Sequence, residues 1–234
     1  MPLAILFGLA LCVRLVFCFA SGLTFFSPDS YSYIETAKHL LARGELDLQW
    51  PPGYPLSIAV IYALFGESPN ALIVFNCLLG AATVCLIFLI AKTAVLETIP
   101  KNTIATTSVS SNNTIISSSL WQKRAWAMIP WLAALALTFH PHTLNYTRRI
   151  LSENLAAGLL VTTVYFAIKG YPGWTGFFMG LCLLTRPSAL FVAPILIAAC
   201  VTRVSVERRW YAFGISGLML LVVVIIDCSE SIFF

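Results

Sequence analysis

Charge is what this chain has least of. Only 10% of its 234 residues are Asp, Glu, Lys or Arg, while 59% are hydrophobic. A soluble domain carries roughly 25% charged residues and about 45–50% apolar ones. The mean hydropathy of +0.87 is too high for one buried core, which excludes an ordinary soluble fold. Clustered basic residues are also missing. The net charge is only +4 and its carriers are scattered, so no nucleic-acid footprint is present. The seven cysteines (Cys12, Cys18, Cys77, Cys85, Cys182, Cys200, Cys228) form no C-x-x-C pair, and most lie within apolar runs. They read as small buried hydrophobes, not as a disulfide framework or a zinc site. No internal repeat is visible.

What is there instead is a succession of apolar segments, expected to form an all-α, polytopic membrane helix bundle of about seven spans. Leu3 to Leu23 is the first. Small residues at Ala20, Ser21 and Gly22 would suit a signal-peptide cleavage site. The segment lacks a basic n-region, however, and carries Arg14 in its middle, which favours a retained helix. Arg14 lies roughly 13 Å below the segment's end at 1.5 Å per residue. It needs to snorkel, pair with a neighbouring helix, or serve as a cation under an outer cavity.

Residues 27–67 stand apart as an outer loop carrying interfacial helices. From Ser27 to Arg43 the pattern predicts an amphipathic helix, with Ser27 as N-cap, Pro28 at the first helical position and Gly44 as the stop. Its apolar face is expected to be Tyr33, Ile34, Ala37, Leu40 and Leu41. Ser32, Glu35, His39 and Arg43 fall on the opposite face. Pro51-Pro52-Gly53 then breaks the chain, and Tyr54 to Phe65 is apolar but too short to cross a bilayer. Later spans are expected at Asn70–Lys92, Arg124–Phe139, Glu153–Ile168, Trp174–Leu184, Ala189–Val201 and Trp210–Ile226. Between the second and third spans, residues 93–123 read as a disordered cytoplasmic loop, rich in Ser, Thr and Asn.

Charge sets the orientation. With the amino terminus inside, the inner loops hold Lys92, Lys101, Lys123, Arg124, Lys169, Arg203, Arg208 and Arg209. The outer loops hold Lys38, Arg43, Arg148, Arg149 and Arg186. The bias follows the positive-inside rule. It gathers Asp29, His140, His142, Arg148, Arg149, Glu153 and Arg186 at one face. Of the sequons, Asn112-Asn-Thr falls inside and Asn145-Tyr-Thr lies close to the membrane, so neither is expected to be used. His140 and His142 flank Pro141 and cannot share a helical face as an i, i+4 pair would. They do not make a metal site.

The order of motifs is informative. A hydrophobic helix is followed by PDSYSYIETAKHLLARG, then PPGYPL, then SENLA, then TRPSAL. From Val13 to about Ile226 this resembles the GT-C superfamily of polyprenyl-phosphate-sugar-dependent glycosyltransferases, in the branch similar to protein O-mannosyltransferases and aminoarabinose transferases. The residues 93–123 would be an insertion. The resemblance implies an enzyme that moves a sugar, with inversion, from a polyprenyl phosphate to an acceptor hydroxyl of a lipid, glycan or protein on the outer face. A multi-pass protein of a bacterial inner membrane, embedded among membrane lipids, is implied rather than one of the endoplasmic reticulum. No cofactor is fixed by it, and a divalent metal is left open.

On that resemblance Asp29 matches the catalytic aspartate of the first outer loop. A carboxylate there can take the proton of the attacking hydroxyl or stabilise an oxocarbenium-like sugar. Its bland alternative is a favourable charge at a helix N-terminus, worth about 0.3–1 kcal/mol. Arg186, Arg148 and Arg149 are the candidates for the leaving phosphate, since a guanidinium offers it two parallel hydrogen bonds. Glu153 matches the SEN-type motif and is a candidate residue of the substrate and lipid-phosphate site, either acting on substrate or pairing with one of these arginines. Tyr54 and Trp50 are candidate substrate contacts, Trp50 as a stacking surface or an interface aromatic. Two departures stand out. Gln49-Trp50 occupies a place where relatives carry a charged pair, and the helices are fewer than usual, as in a short or truncated member. Against the enzyme reading stand a lipid or solute transporter or flippase, which would favour ionisable residues deep in several helices, and a non-catalytic membrane assembly protein.

Overall fold

The computed structural model describes residues 2–22, 26–45, 50–98, 113–204, 209, 211 and 214–218. Among these the chain is all-helical, without a strand. The helices are α1 (Pro2–Ala20), α2 (Pro28–Arg43), α3 (Gly53–Phe65), α4 (Pro69–Thr98), α5 (Asn113–Phe139), α6 (Pro141–Thr147), α7 (Ser152–Lys169), α8 (Pro172–Thr185) and α9 (Ala193–Arg203), with a 3₁₀ turn at Pro187–Phe191 before α9. Two of them, α1 and the Pro69–Glu97 portion of α4, are long and apolar enough to cross a membrane. Gly53–Phe65, Arg124–Phe139 and Ala193–Arg203 are apolar but shorter.

The central element is α4, which packs against α1, α5 and α7 and also touches α3 and α6. On α1, Leu6, Ala10, Arg14 and Cys18 are buried, one residue every four, while Ile5, Val16 and Phe19 are exposed. An i, i+4 ridge of this kind fits the groove of a neighbouring helix. Below, Leu6 and Ala10 meet Ala81, Val84 and Phe88 of α4. Above, Cys18 lies 3.9 Å from Cys77, sulfur to sulfur. Arg14 sits between them, 2% exposed. It fits because α4 has a glycine opposite: a Cβ on Gly80 would run into the Arg14 side chain. The guanidinium folds back on its own helix, Nη1 donating to the Ala10 carbonyl at 3.1 Å, and its Nε meets no acceptor. Neither a paired nor a snorkelling arginine describes it; α1 carries a buried cation satisfied only in part.

Local signals on α2 hold. The Ser27 and Ser30 side chains exchange bonds with each other's backbone N–H in a capping box, and Gly44 ends the helix at φ 74°. The face is turned slightly from expectation. Ser30, Tyr33, Thr36 and Ala37 are buried, whereas Leu41 is exposed. The cause is that α2 packs on α3 alone among the principal helices, so it needs only a narrow buried stripe.

Other boundaries move. Helix α4 runs on to Thr98, and α5 begins at Asn113, so both ends of the expected 93–123 loop are helical. Residues 99–112 lie outside the described part, as does most of the expected span 210–226. The polar stretch 140–149 contains a helix, α6, entered through Pro141 at its first position. The expected span at 189–201 begins as a 3₁₀ turn, because Pro187 and Pro194 interrupt regular α-helical bonding there.

Close approach also ties α3 to α8. A Cβ on Gly53 would lie 2.8 Å from the backbone nitrogen of Thr185 and 2.9 Å from the carbonyl carbon of Leu184. The glycine of the PPGYP motif is what lets the start of α3 abut the end of α8. Gly53→Ala is expected to destabilise the protein by about 1–3 kcal/mol, because backbone cannot yield as a flexible side chain does. Arg14→Met, which removes a partly unsatisfied buried charge at similar volume, is expected to stabilise it by about 1–3 kcal/mol. Thermal unfolding in detergent, read by circular dichroism, checks both signs.

Candidate functional site

The polar residues of the outer motifs collect at one end of the bundle. Three hydrogen bonds in otherwise apolar surroundings organise this end. The Asn76 amide of α4 donates to the Arg149 carbonyl at 3.0 Å, and the Asn154 amide of α7 donates to the Asn76 carbonyl at 3.1 Å. Arg148 reaches across to α1, its Nη1 donating to the Ser21 carbonyl at 3.2 Å. The link between α6 and α7 is thus strapped to two other helices. Ile150 and Leu151, next along it, are buried beneath the two arginines. Arg149 lies over the Tyr146 ring at 5.7 Å from its centroid.

From this strap α7 starts at Ser152, which puts Glu153 in its first turn. Across from it α8 ends at Thr185. Arg186 takes an extended conformation, φ −151° and ψ 101°, as the residue before a proline must. Its Nη1 then lies 3.1 Å from Glu153 Oε1. Both side chains are partly exposed, and the second carboxylate oxygen, Oε2, has no protein partner. An ion pair this exposed contributes little to stability, about 0–1 kcal/mol. Its interest is that it leaves a guanidinium and a carboxylate side by side at an accessible place.

In the first turn of helix α2 Asp29 is exposed, and one turn on, Tyr33 is buried with its ring 5.2 Å from Tyr54 and 5.4 Å from Trp50, both edge-on. Burial pushes the phenol above its ordinary pKa. The nearby Asp29 and Glu153 carboxylates add to that rise, while Ser152 and Arg186 oppose it. Tyr33 therefore lies within the field of Asp29, Glu153 and Arg186 together, residues from three separate motifs.

Not every expected residue is placed to touch a ligand. Tyr54 is 2% exposed and belongs to the core, where it supports Tyr33. It is corrected here from a substrate contact to a buried support, because the start of α3 is driven inward against α8 by Gly53. Trp50 is half-buried against Tyr33, with its indole Nε1 buried and without an acceptor. Arg148 is turned toward α1, away from the Glu153–Arg186 pair. Gln49, which precedes Trp50, lies outside the described residues. His140 and His142 are 6.3 Å apart between ring centroids, and no group of three His, Cys, Asp or Glu side chains converges among the described residues. No residue set for a metal is assigned.

Some contributors are not marked by any motif. Asn76 is a lone amide in a long apolar run, which is a signal for a buried hydrogen-bonding role. Tyr146 carries no such signal, and Ser152 and Asn154 belong to SENLA, where only Glu153 was singled out, since their part follows from how α6 and α7 are strapped. Comparison with family models, with curated proteins and with solved structures finds no match to the chain.

The raised Tyr33 pKa has a sign for stability. The folded state holds that proton more tightly than the unfolded state. Its contribution is complete below the ordinary tyrosine value near 10 and is lost as pH rises through the higher folded value. Unfolding midpoints measured from pH 8 to 12 should fall at the alkaline end for wild type. They should fall less for Tyr33→Phe.

Proposed function

We propose that the chain is a multi-pass membrane glycosyltransferase of GT-C type, a bundle of about seven spans in a bacterial inner membrane. In this reading it transfers a sugar from a polyprenyl-phosphate donor to an acceptor hydroxyl at the outer face, with inversion. The acceptor oxygen bonds to the anomeric carbon as the bond from that carbon to the phosphate oxygen breaks. The electron pair leaves with the lipid phosphate, and the acceptor proton passes to Asp29.

The observation that supports the reading is the Glu153–Arg186 ion pair, which joins the SEN motif and the TRPS motif at one end of a helix bundle. Arg186 is the residue for the leaving phosphate, since its guanidinium is accessible and a phosphate can replace the carboxylate on it with stronger, paired hydrogen bonds. Arg148, bonded to the Ser21 carbonyl, and Arg149, whose carbonyl accepts from Asn76, hold the strap. Glu153 keeps Arg186 oriented while no donor is bound. Among the described residues Arg14 is the one buried side chain of the Asp, Glu, Lys and Arg types, and the ion-paired charges lie at the two ends of the bundle. A transport pathway of several deep charges gains no support from that pattern.

Purified protein in detergent, given polyprenyl-phosphate sugars with a labelled sugar, tests the proposal. Asp29→Asn is expected to lower transfer by about 10²–10⁴-fold, the range for removing a positioned general base, with unfolding unchanged. Arg186→Gln is expected to weaken use of the donor more than turnover at saturation. Full activity in Asp29→Asn would sink the proposal.

A further inference from the structure

Next to the ion pair lies a cavity of about 260 Å³, lined by His142, Thr143 and Tyr146 of α6 and by Glu153, Asn154 and Ala157 of α7. We infer that this cavity is a binding site for a single carbohydrate ring, held by a stacking surface on α6 and a hydrogen-bonding edge on α7. The inference rests on the transfer reading only for the purpose of the ring, as the sugar-bearing part of donor or acceptor. The site itself stands on its own geometry.

Size comes first. Cavities for drug-sized ligands run from about 300 to 1,000 Å³, so this one takes a single ring and not an extended peptide. The lining is mainly apolar with a few polar groups, as in most small-molecule sites. A pyranose matches such a lining, because its axial C–H groups make an apolar face and its hydroxyls form a polar rim. Tyr146 supplies a flat surface, and the His142 ring stands edge-on to it with centroids 4.6 Å apart. Arg149 over the Tyr146 ring steadies that surface.

The α7 side supplies acceptors. Glu153 lines the cavity and commits Oε1 to Arg186, which fixes the carboxylate beside the space a ring would fill. Asn154 commits its amide N–H to Asn76, which leaves its carbonyl oxygen in a fixed orientation. The Thr143 hydroxyl donates to backbone carbonyls of Leu137 and His140, at 3.1 and 2.9 Å, and can still accept. Both walls are held before any ligand arrives, α6 and α7 through the Arg149, Asn76 and Asn154 bonds. Pre-set polar groups cost little reorganisation on binding. Glu153 thus links the cavity to Arg186, and a ring seated here would have its anomeric end or its attacking hydroxyl beside the phosphate-binding cation.

Saturation-transfer NMR on the purified protein tests this, with methyl mannoside and methyl glucoside as probes and no donor present. Ring protons of a glycoside should receive magnetisation from the protein. Tyr146→Ala should weaken binding about tenfold, the worth of one stacked contact, and Tyr146→Phe should retain it. Ala157→Phe, which fills the cavity, should abolish it, with unfolding curves verifying that each variant is folded. Binding unchanged in Ala157→Phe and Tyr146→Ala overturns the site, as does contact from detergent or lipid chains alone. Because no turnover is required, the two ideas separate. Glycoside binding that responds to these variants in a protein without transfer activity would overturn the proposed reaction and leave this site standing. Transfer that depends on Asp29, with no glycoside binding, would do the reverse.

Discussion

The amide of Asn76 is the interaction on which the Glu153–Arg186 end of the bundle depends. It sits two turns into an apolar helix, 1% exposed. In such surroundings a polar group must find a partner or cost a large fraction of a domain's net stability. Its side chain donates to the Arg149 carbonyl, and its backbone carbonyl accepts from Asn154. These bonds hold the irregular chain between α6 and α7 against the central helix. Buried non-helical backbone is tolerated where protein groups satisfy it. Arg148, Arg149, Glu153 and one wall of the cavity are all positioned by that strap.

Small residues supply a second layer of control. Gly80 makes room for Arg14, Gly158 lets α7 approach Leu79 and Thr83 of α4, and Gly53 lets α3 meet the end of α8. Helices packed without a strong hydrophobic drive between them rely on such close contacts. The effect at Gly53 reaches the site, because it fixes Thr185 and therefore Arg186. A motif that reads as a chain break, PPGYP, acts as a spacer that brings TRPS toward the first outer loop. Ion pairs respect the same polarity. Lys38–Glu67 joins α2 to the turn before α4, Glu153–Arg186 joins the start of α7 to the end of α8, and Glu97–Arg203 joins α4 to α9 at the opposite end.

Legibility in the sequence followed interaction range. The cap at Ser27, the stop at Gly44 and the apolar character of α1 and α4 were readable, because capping and lipid exposure are decided by neighbours within a turn or by composition. The rotation of α2 that exposes Leu41 was not, since it depends on α3. Helix α6 was hidden inside a polar stretch. Its seven residues are held by contacts to α1, α4 and α5 and not by their own periodicity. Of the candidate site residues, pairing of Glu153 with an arginine was one of two expected roles. Which arginine was decided by the extended conformation that Pro187 imposes on Arg186. Tyr54 was misplaced because its burial comes from the Gly53–Thr185 approach, a contact between residues more than a hundred positions apart.

The sequence by itself determined that this protein is helical and apolar, that its ionisable groups are few, and where α2 begins and ends. Those follow from composition and from bonds between near neighbours. Only the tertiary structure decided that Glu153 and Arg186 pair, that Tyr33 packs on Tyr54 and Trp50, that Arg14 is buried beside Gly80, and that α6 and α7 enclose a cavity. The reason is physical: each of these depends on which backbone can come close to which, and that is set by glycines and amides on other helices.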